Sequence, residues 1–388
     1  MPRRFDVAVV GLGAVGSSAL LALTRRGLKA VGVDRFTPPH SLGSSHGRSR
    51  IIREAYYESP VYVPLVRRAY ELWRRLEVEA GRPLLRTTGG LMVGPADGAL
   101  VRGSRRSAEQ HGIPFEILDS VEVRRRYPVL EVRPDQVALL EPRAGVLDPE
   151  GCLEGTLSLA VRGGAELWDQ TLMTAWRPAA DGLTVGTSRE MIECAALILA
   201  LGPWHAESGG VPGVPLSIER QAMFWFEPKA RAERFGTEQL PVFIWEWERG
   251  RFFYGIPDAG DGFKVAGHHE GRVVSPDQVE RQVSDEEVDE MRRLLRRTIP
   301  LADGRLRDAA TCLYTNTPDQ HFALGPHPED PRVVVASPCS GHGFKFASAL
   351  GEILADLAMQ AEPSFDITPF RLDRFALQPR SSLPAEDP

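Results

Sequence analysis

The chain opens with a short apolar run, Phe5-Asp6-Val7-Ala8-Val9-Val10, followed at once by Gly11-Leu12-Gly13-Ala14-Val15-Gly16. No other feature restricts the fold as strongly. The run suits a buried parallel strand. An apolar helix follows the glycine loop, with its centre at residues 19–23 and Gly27 closing it. A second strand, residues 30–33, ends at Asp34. In such a βαβ unit Gly11 permits the tight turn, Gly13 lets a pyrophosphate approach the backbone, and Gly16 lets helix pack on strand. The helix start offers free N–H groups and partial positive charge. Asp34 is placed to accept hydrogen bonds from a ribose. The strand–loop–helix context gives the glycine pattern its meaning; a purely structural turn is the minority reading. The loop alone does not distinguish NAD from FAD.

Parallel-type units recur in the middle and at the end of the chain. Residues 196–200 form an apolar strand closed by Gly202-Pro203-Trp204. Val333-Val334-Val335 leads through Gly341-His342-Gly343 into a helix reaching about Met359. Between these units lies a strand-rich, aromatic region, residues 215–275, with Met223-Phe224-Trp225-Phe226 and Phe252-Phe253-Tyr254. Ser284-Asp285-Glu286-Glu287 reads as a capping box opening a helix with Val288, Met291 and Leu295 inward. Another helix starts between Ser59 and Pro64, carries Leu65, Ala69, Leu72, Trp73 and Leu76 on one face, and ends at Gly81. The fold class is therefore α/β (α+β overall). A Rossmann-like cofactor domain is expected from residues 1–84, 146–214 and 315–380. A mixed or antiparallel-sheet substrate domain is inserted as residues 85–145 and 215–314. Residues 381–388 read as a frayed tail.

Composition removes several function classes. A formal net charge of -6 argues against a general nucleic-acid binder. The basic run Arg124-Arg125-Arg126 is flanked by acids and reads as a solvated face. No apolar stretch is long enough for a membrane span, and the N-terminus lacks the apolar core of a secretory signal. Cys152, Cys194, Cys312 and Cys339 are widely spaced, so neither a disulfide framework nor a metal site is indicated. A reducing cytoplasm is the default location.

Lysine is rare. Only Lys29, Lys229, Lys264 and Lys345 occur among 46 basic residues. Where lysine persists in an arginine-rich chain, one reading is a need for a compact ammonium that guanidinium cannot imitate, and the other is chance survival. Chance covers Lys29 and Lys229; Lys264 and Lys345 stand beside other candidates and read as functional. The stretch Ser44-Ser45-His46-Gly47-Arg48-Ser49-Arg50-Ile51-Ile52-Arg53 packs three arginines and a histidine against isoleucines. A solvated basic turn is the bland reading. The isoleucines imply burial, and buried arginines require anionic partners, which a substrate or cofactor would supply. Gly341 and Gly343 opening the last helix would stabilise negative charge on a reduced flavin, or simply join strand to helix. Cys312 alone is most often a small buried hydrophobe.

Taken in order, the Gly11 loop, Ser45 through Arg53, Gly202-Pro203-Trp204, Cys312 through Asp319 and Ser340 through Phe346 resemble the monomeric sarcosine oxidase family, the N-methyl-amino-acid oxidases of the D-amino-acid-oxidase superfamily. The resemblance covers nearly the whole chain. It implies FAD, linked through its 8α-methyl group to the sulfur of Cys312. It implies cofactor contacts from Gly11, Gly13, Gly16, Asp34, Ser44, Arg50, Gly341, Gly343 and Lys345. Arg53 and Lys345 match the family's carboxylate-binding pair, and Tyr254 and Tyr314 its pocket aromatics. His46, Arg50 and Lys264 match residues beside the flavin, with Lys264 assisting the reaction with oxygen, and His268 matches a pocket-side histidine. The expected partners are a small N-methyl amino acid and O2, with no nucleic acid or membrane, and the chain is expected to be a monomer. Two departures bear on substrate size. Ser49 stands where relatives commonly have threonine, and Ile244-Trp245-Glu246-Trp247 is bulkier than a strict sarcosine enzyme needs. Larger substrates such as N-methyltryptophan, pipecolate, proline or a fructosyl amino acid are the alternative. An NAD-dependent dehydrogenase and a non-catalytic flavin subunit are the remaining rivals.

Overall fold

The computed structural model describes residues 2–205 and 211–375. The tail assigned to residues 381–388 lies outside the described residues. The first strand, Arg3–Val10, is flanked in parallel by Ala30–Val33 on one side and by Met191–Leu199 on the other. Glu166–Trp168 extends the parallel order beyond Ala30–Val33. The strand Met191–Leu199 divides its far edge. Residues Met191 to Cys194 pair antiparallel with Gly182–Thr187, and Leu197 to Leu199 pair parallel with Val333 to Val335. Four parallel strands therefore end near one another, at Val10, Val33, Leu199 and Ser337. In open parallel sheets a ligand crevice lies outside these carboxyl ends. Helices Ala14–Arg25, Tyr62–Ala80, Pro149–Arg162 and Ala347–Ala358 bury their apolar faces in the core beside this sheet.

The local signals for these elements are visible in the chain. The helix Tyr62–Ala80 buries Leu65, Ala69, Leu72, Trp73 and Leu76 and ends at Gly81 in the left-handed region, φ 67°. The helix Asp285–Thr298 starts at a complete capping box between Ser284 and Glu287. The last helix begins later than the glycine turn implies. A single 3₁₀ turn, Phe344–Phe346, stands between Gly343 and the α-helix at Ala347.

A second sheet, nine strands and mainly antiparallel, packs over the crevice. Strands Ser217–Glu227, Val242–Glu248, Arg251–Ile256, Phe263–His268 and Arg305–Asn316 form the part facing it. Side chains alternate across a sheet, and here the alternation separates cavity from core. Gln221, Met223, Ile244, Tyr254, Ile256 and His268 face the cavity. Phe224, Phe226, Phe243, Trp245, Phe253 and Phe263 face a separate apolar core with Met291 and Leu295. Trp245 is 1% exposed in that core, 5.6 Å from the Phe253 ring, and donates to Gln136 Oε1 at 3.2 Å. Trp247 stacks under Arg251 and Arg297 instead. Both tryptophans are off the cavity, which corrects the expectation that they enlarge or line a substrate pocket; of that stretch only Ile244 reaches it. A three-stranded sheet of Arg50–Ile52, Gly145–Leu147 and Leu85–Thr87 delivers Arg50 and Arg53 to the cavity.

Candidate active site

One cavity runs from the glycine loop to the underside of the second sheet. At its first end, Gly11 has φ +89°, and a Cβ there would lie 2.3 Å from the Ala200 carbonyl oxygen. A Cβ on Gly16 would lie 1.8 Å from the Gly11 carbonyl. No side chain other than hydrogen fits at either place. Gly16 is therefore a packing residue behind the loop, whereas Gly11 and Gly13 line the cavity. Asp34 lines it too and is buried. Its carboxylate already accepts from Leu12 N at 2.7 Å and Phe36 N at 2.8 Å. Asp34, expected only as a ribose partner, thus also shapes the loop.

In the middle of the cavity stand Ser44, Arg50 and Cys312. Ser44 Oγ donates to the Leu313 carbonyl at 2.5 Å. Arg50 donates to the Ser44 carbonyl at 2.9 Å and approaches Cys312 Sγ at 3.6 Å. The turn before the last helix closes this stretch. Gly341 has φ +75°, and a Cβ on it would strike the Tyr314 ring at 2.6 Å. Gly343 lines the same wall.

The far end gathers Arg53, Tyr57, Glu58, Tyr254, His268, Tyr314, His342 and Lys345. Arg53 is 2% exposed, and its guanidinium meets both Glu58 carboxylate oxygens, at 2.8 and 2.7 Å. The anionic partner expected from a ligand is thus provided, as the chain stands, by Glu58. Arg53 Nε nonetheless has no partner among the described residues. Tyr56 lies between the two cations. Its ring is 4.1 Å from the Arg53 guanidinium carbon, and its hydroxyl accepts from Lys345 Nζ at 3.3 Å. That hydroxyl also meets His342 Nδ1 at 2.7 Å, while Lys345 Nζ donates to the His342 carbonyl at 2.7 Å. His268 Nδ1 meets the Tyr314 hydroxyl at 3.2 Å.

Burial controls the charge states. It pushes the Lys345 ammonium down to about 7, with Arg53 adding repulsion. It pushes the Tyr254 phenol up to about 12. It holds the His268 and His342 imidazoles well below the usual histidine range, so both are neutral near pH 7.

Two candidates stand behind the cavity wall rather than on it. Lys264 is 1% exposed, and its ammonium donates to the carbonyls of Gly47 at 2.7 Å and Ser49 at 3.0 Å. Burial, then Arg50, pushes its ammonium well below the lysine range. His46 is buried with Nε2 unpartnered among the described residues. Burial, then Arg50 and Lys264, pushes its imidazole down to about 3. The segment that covers Lys264 is tied by Glu150, which accepts from Gly47 N at 2.7 Å.

Sequence reasoning missed Tyr56, Tyr57, Glu58, Gln221 and His342. Tyr56-Tyr57-Glu58 follows Arg53 directly, so an aromatic pair and an acid near a buried cation was the available signal. His342 was passed over as the spacer of a glycine turn.

The sequence matches the DAO family model, FAD dependent oxidoreductase, over residues 6–357. The chain belongs to this family. The NAD-dependent alternative is thereby set aside. Monomeric sarcosine oxidase of Streptomyces avermitilis is 44% identical over 383 residues, covering 98% of this chain and 100% of that protein. N-methyl-L-tryptophan oxidase of Salmonella typhimurium is 34% identical over 376 residues, covering 96% and 100%. NikD, an unusual amino acid oxidase essential for nikkomycin biosynthesis, superposes with a TM-score of 0.82 at 24% identity, covering 95% of this chain and 97% of its own. L-proline dehydrogenase from P. horikoshii gives a TM-score of 0.82 at 22% identity, covering 97% and 99%. These two structures share the fold.

The DAO-family cofactor suits this cavity. Gly13, the N-cap of the first helix, supplies no capping side chain, and Ser45 Oγ accepts from Ala14 N at 3.1 Å; the other N–H groups of the first turn are left to a diphosphate. Among the described residues, no helix is long and apolar enough to cross a membrane.

Proposed function

We propose that the protein is an FAD-dependent amine oxidase. It demethylates sarcosine and related small N-methyl amino acids, with O2 as acceptor and formaldehyde and hydrogen peroxide as products. The observation that carries this reading is the convergence of two buried cations, Arg53 and Lys345, on Tyr56 at the cavity end remote from the glycine loop. The sarcosine oxidase name of a relative at 44% identity supports it. Trp245 and Trp247 face away from the cavity and give a bulkier substrate no support; its weaker support is the N-methyl-L-tryptophan oxidase name of a relative at 34% identity.

FAD, when bound, supplies the two-electron acceptor. Gly11, Gly13 and the first helix would hold its diphosphate and Asp34 its ribose, with Gly16 packing behind. Ser44, Arg50, Gly341, Gly343 and Lys345 would contact the flavin, and Cys312 would be its point of covalent attachment. Support for the attachment is the position of Cys312 on the cavity wall beside Arg50. On this reading residues 1–84, 146–214 and 315–380 form the cofactor domain, and residues 85–145 and 215–314 the substrate domain.

A small amino acid arrives as a zwitterion. Its carboxylate binds Lys345 and Arg53, taking over from Glu58 and meeting the unpartnered Nε. Lys345, half deprotonated near pH 7, takes the ammonium proton at Nζ. This leaves a neutral amine, which alone has the lone pair needed for oxidation, and a charged lysine for the carboxylate. Tyr254, Tyr314 and His268 close the other side and fix the reacting carbon. Lys264 behind the wall and Arg50 on it are the groups whose positive charge would favour electron transfer to oxygen. His46, kept neutral, adds no repulsion there.

Anaerobic addition of sarcosine to the purified yellow protein tests the proposal. The visible flavin band should bleach, and air should restore it with one peroxide per turnover. A protein that stays oxidised with sarcosine but bleaches with N-methyl-L-tryptophan would move the substrate to the larger class. One that bleaches with neither would end the proposal.

A further inference from the structure

Glu141 lies at the end of the strand Gln136–Glu141 and is 0% exposed. Burying a carboxylate is costly unless its charge is answered. Its neighbours answer it in one direction only. Oε1 accepts from Glu54 N at 2.8 Å, and Oε2 accepts from Ala55 N at 2.8 Å. These are successive amides immediately after Arg53. The Glu54 side chain is turned away, to Arg67 at 3.0 Å and Arg143 at 2.9 Å. Arg53 itself donates to the Ala55 carbonyl at 3.0 Å. The guanidinium is thus braced on the same short stretch that Glu141 clamps.

We propose that Glu141 is a positioning residue for substrate: its two oxygens clamp the backbone of residues 54 and 55 and so hold the Arg53 guanidinium at the cavity wall. The inference rests on the reading of Arg53 as a carboxylate anchor. No neutral side chain can do the same work. A carboxylate presents two acceptors to two N–H donors, whereas an amide presents one acceptor and one donor. The uncompensated part of the burial cost shows in Glu141 itself, whose carboxyl is pushed up to about 7, first by burial. Glu150 makes the analogous bonds to Gly47 and Arg48 but is only half-buried.

The test uses the flavin-containing protein and methoxyacetate, in which oxygen replaces the amine of sarcosine, so that it binds without being oxidised. Its dissociation constant is read from the perturbed flavin absorbance, together with anaerobic reduction by sarcosine and the flavin-to-protein ratio. Glu141→Gln should raise the methoxyacetate Kd and the sarcosine Kd by about tenfold, as expected for one lost buried hydrogen bond. The reduction rate at saturating sarcosine and the flavin content should stay within about twofold of wild type. Exchange of the amides in residues 53–58 should accelerate selectively. An unchanged Kd in Glu141→Gln, with Arg53→Ala strongly weakened, overturns the clamp and leaves the anchor standing. An unchanged Kd in Arg53→Ala overturns both. Where Glu141→Gln yields no flavin-containing protein, Glu141→Asp takes its place, because its shorter carboxylate cannot span both amides. The same rise in Kd is then expected, and its absence is again a refutation.

Discussion

Lys345 places a calculable strain on the folded state. Its ordinary value of 10.5 falls to about 7 on folding, chiefly through burial and then through Arg53. At roughly 1.4 kcal/mol per pH unit, that gap is worth about 5 kcal/mol of preference for the neutral amine. The sign follows from proton counting. Between pH 7 and 9 the unfolded chain keeps the proton and the folded protein loses it, so stability rises with pH. Integrating both titrations over that window gives about 2 kcal/mol. Replacing Lys345 by Met removes this slope. It also removes the bonds to the His342 carbonyl and the Tyr56 hydroxyl, a loss that is the same at both pH values and cancels. The other groups in contact do not interfere: burial raises the Tyr56 phenol well above 10.0 and lowers the His342 imidazole well below 6.5. Guanidinium unfolding followed by tryptophan fluorescence, on wild type and Lys345→Met at pH 7, 8 and 9, measures the difference. Wild type should gain about 2 kcal/mol on the variant from pH 7 to 9. A difference constant to within about 0.5 kcal/mol would show that Lys345 keeps its proton, and the proton transfer proposed for it would be lost.

Cys312→Ser should bind flavin that leaves the polypeptide on acid denaturation, while wild-type flavin fluorescence migrates with the chain; release from wild type would remove the sulfur link. Lys264→Met should slow reoxidation of the reduced protein by about a hundredfold or more while leaving anaerobic reduction near wild type. Because burial depresses the Lys264 ammonium, wild-type reoxidation should also slow as pH rises and that proton is lost, a trend the variant should not show. Glu58→Gln should destabilise the protein by about 3 kcal/mol, since it strips a buried guanidinium of its counter-ion. It should also tighten methoxyacetate binding, because the competing carboxylate is gone; weaker binding would mean that Glu58 orients Arg53 rather than competes for it.

Much of this was legible in the chain because the signals were local. The Gly11 loop needs its glycines for reasons that one strand and one helix supply, and Gly81 ends its helix in a conformation few other residues adopt. The four lysines also divide by burial. Lys29 donates to the Arg4 carbonyl at the surface and Lys229 pairs with Asp303, whereas Lys264 and Lys345 are the buried pair. What failed needed the third dimension. Trp245 and Ile244 are neighbours in sequence but face opposite sides of a sheet, and an aromatic-rich strand does not announce which side carries the ligand. Glu141 gave no sign at all. Its partners are backbone amides 86 and 87 residues away, and every residue type except proline has such an amide.

The buried charges around the cavity account for both ends of the ligand set. Arg50, Arg53, Lys264 and Lys345 stand on or just behind its wall, while Glu58 and Glu150 answer them. Glu150 is spent on backbone amides and Glu58 on Arg53. The positive charge that remains is largely buried, where charges interact more strongly than in water. It therefore selects against cations and for groups that bring a negative charge without needing to lose one. An amino-acid carboxylate meets that condition and a free amine does not. The same field penalises an incoming ammonium unless its proton has somewhere to go, and on the proposed reading Lys345, brought down to about 7 by the same burial, receives it. On the proposed reading, substrate capture and substrate deprotonation are two consequences of one arrangement. A substrate lacking the carboxylate should lose both, with binding and the rate of flavin reduction falling together.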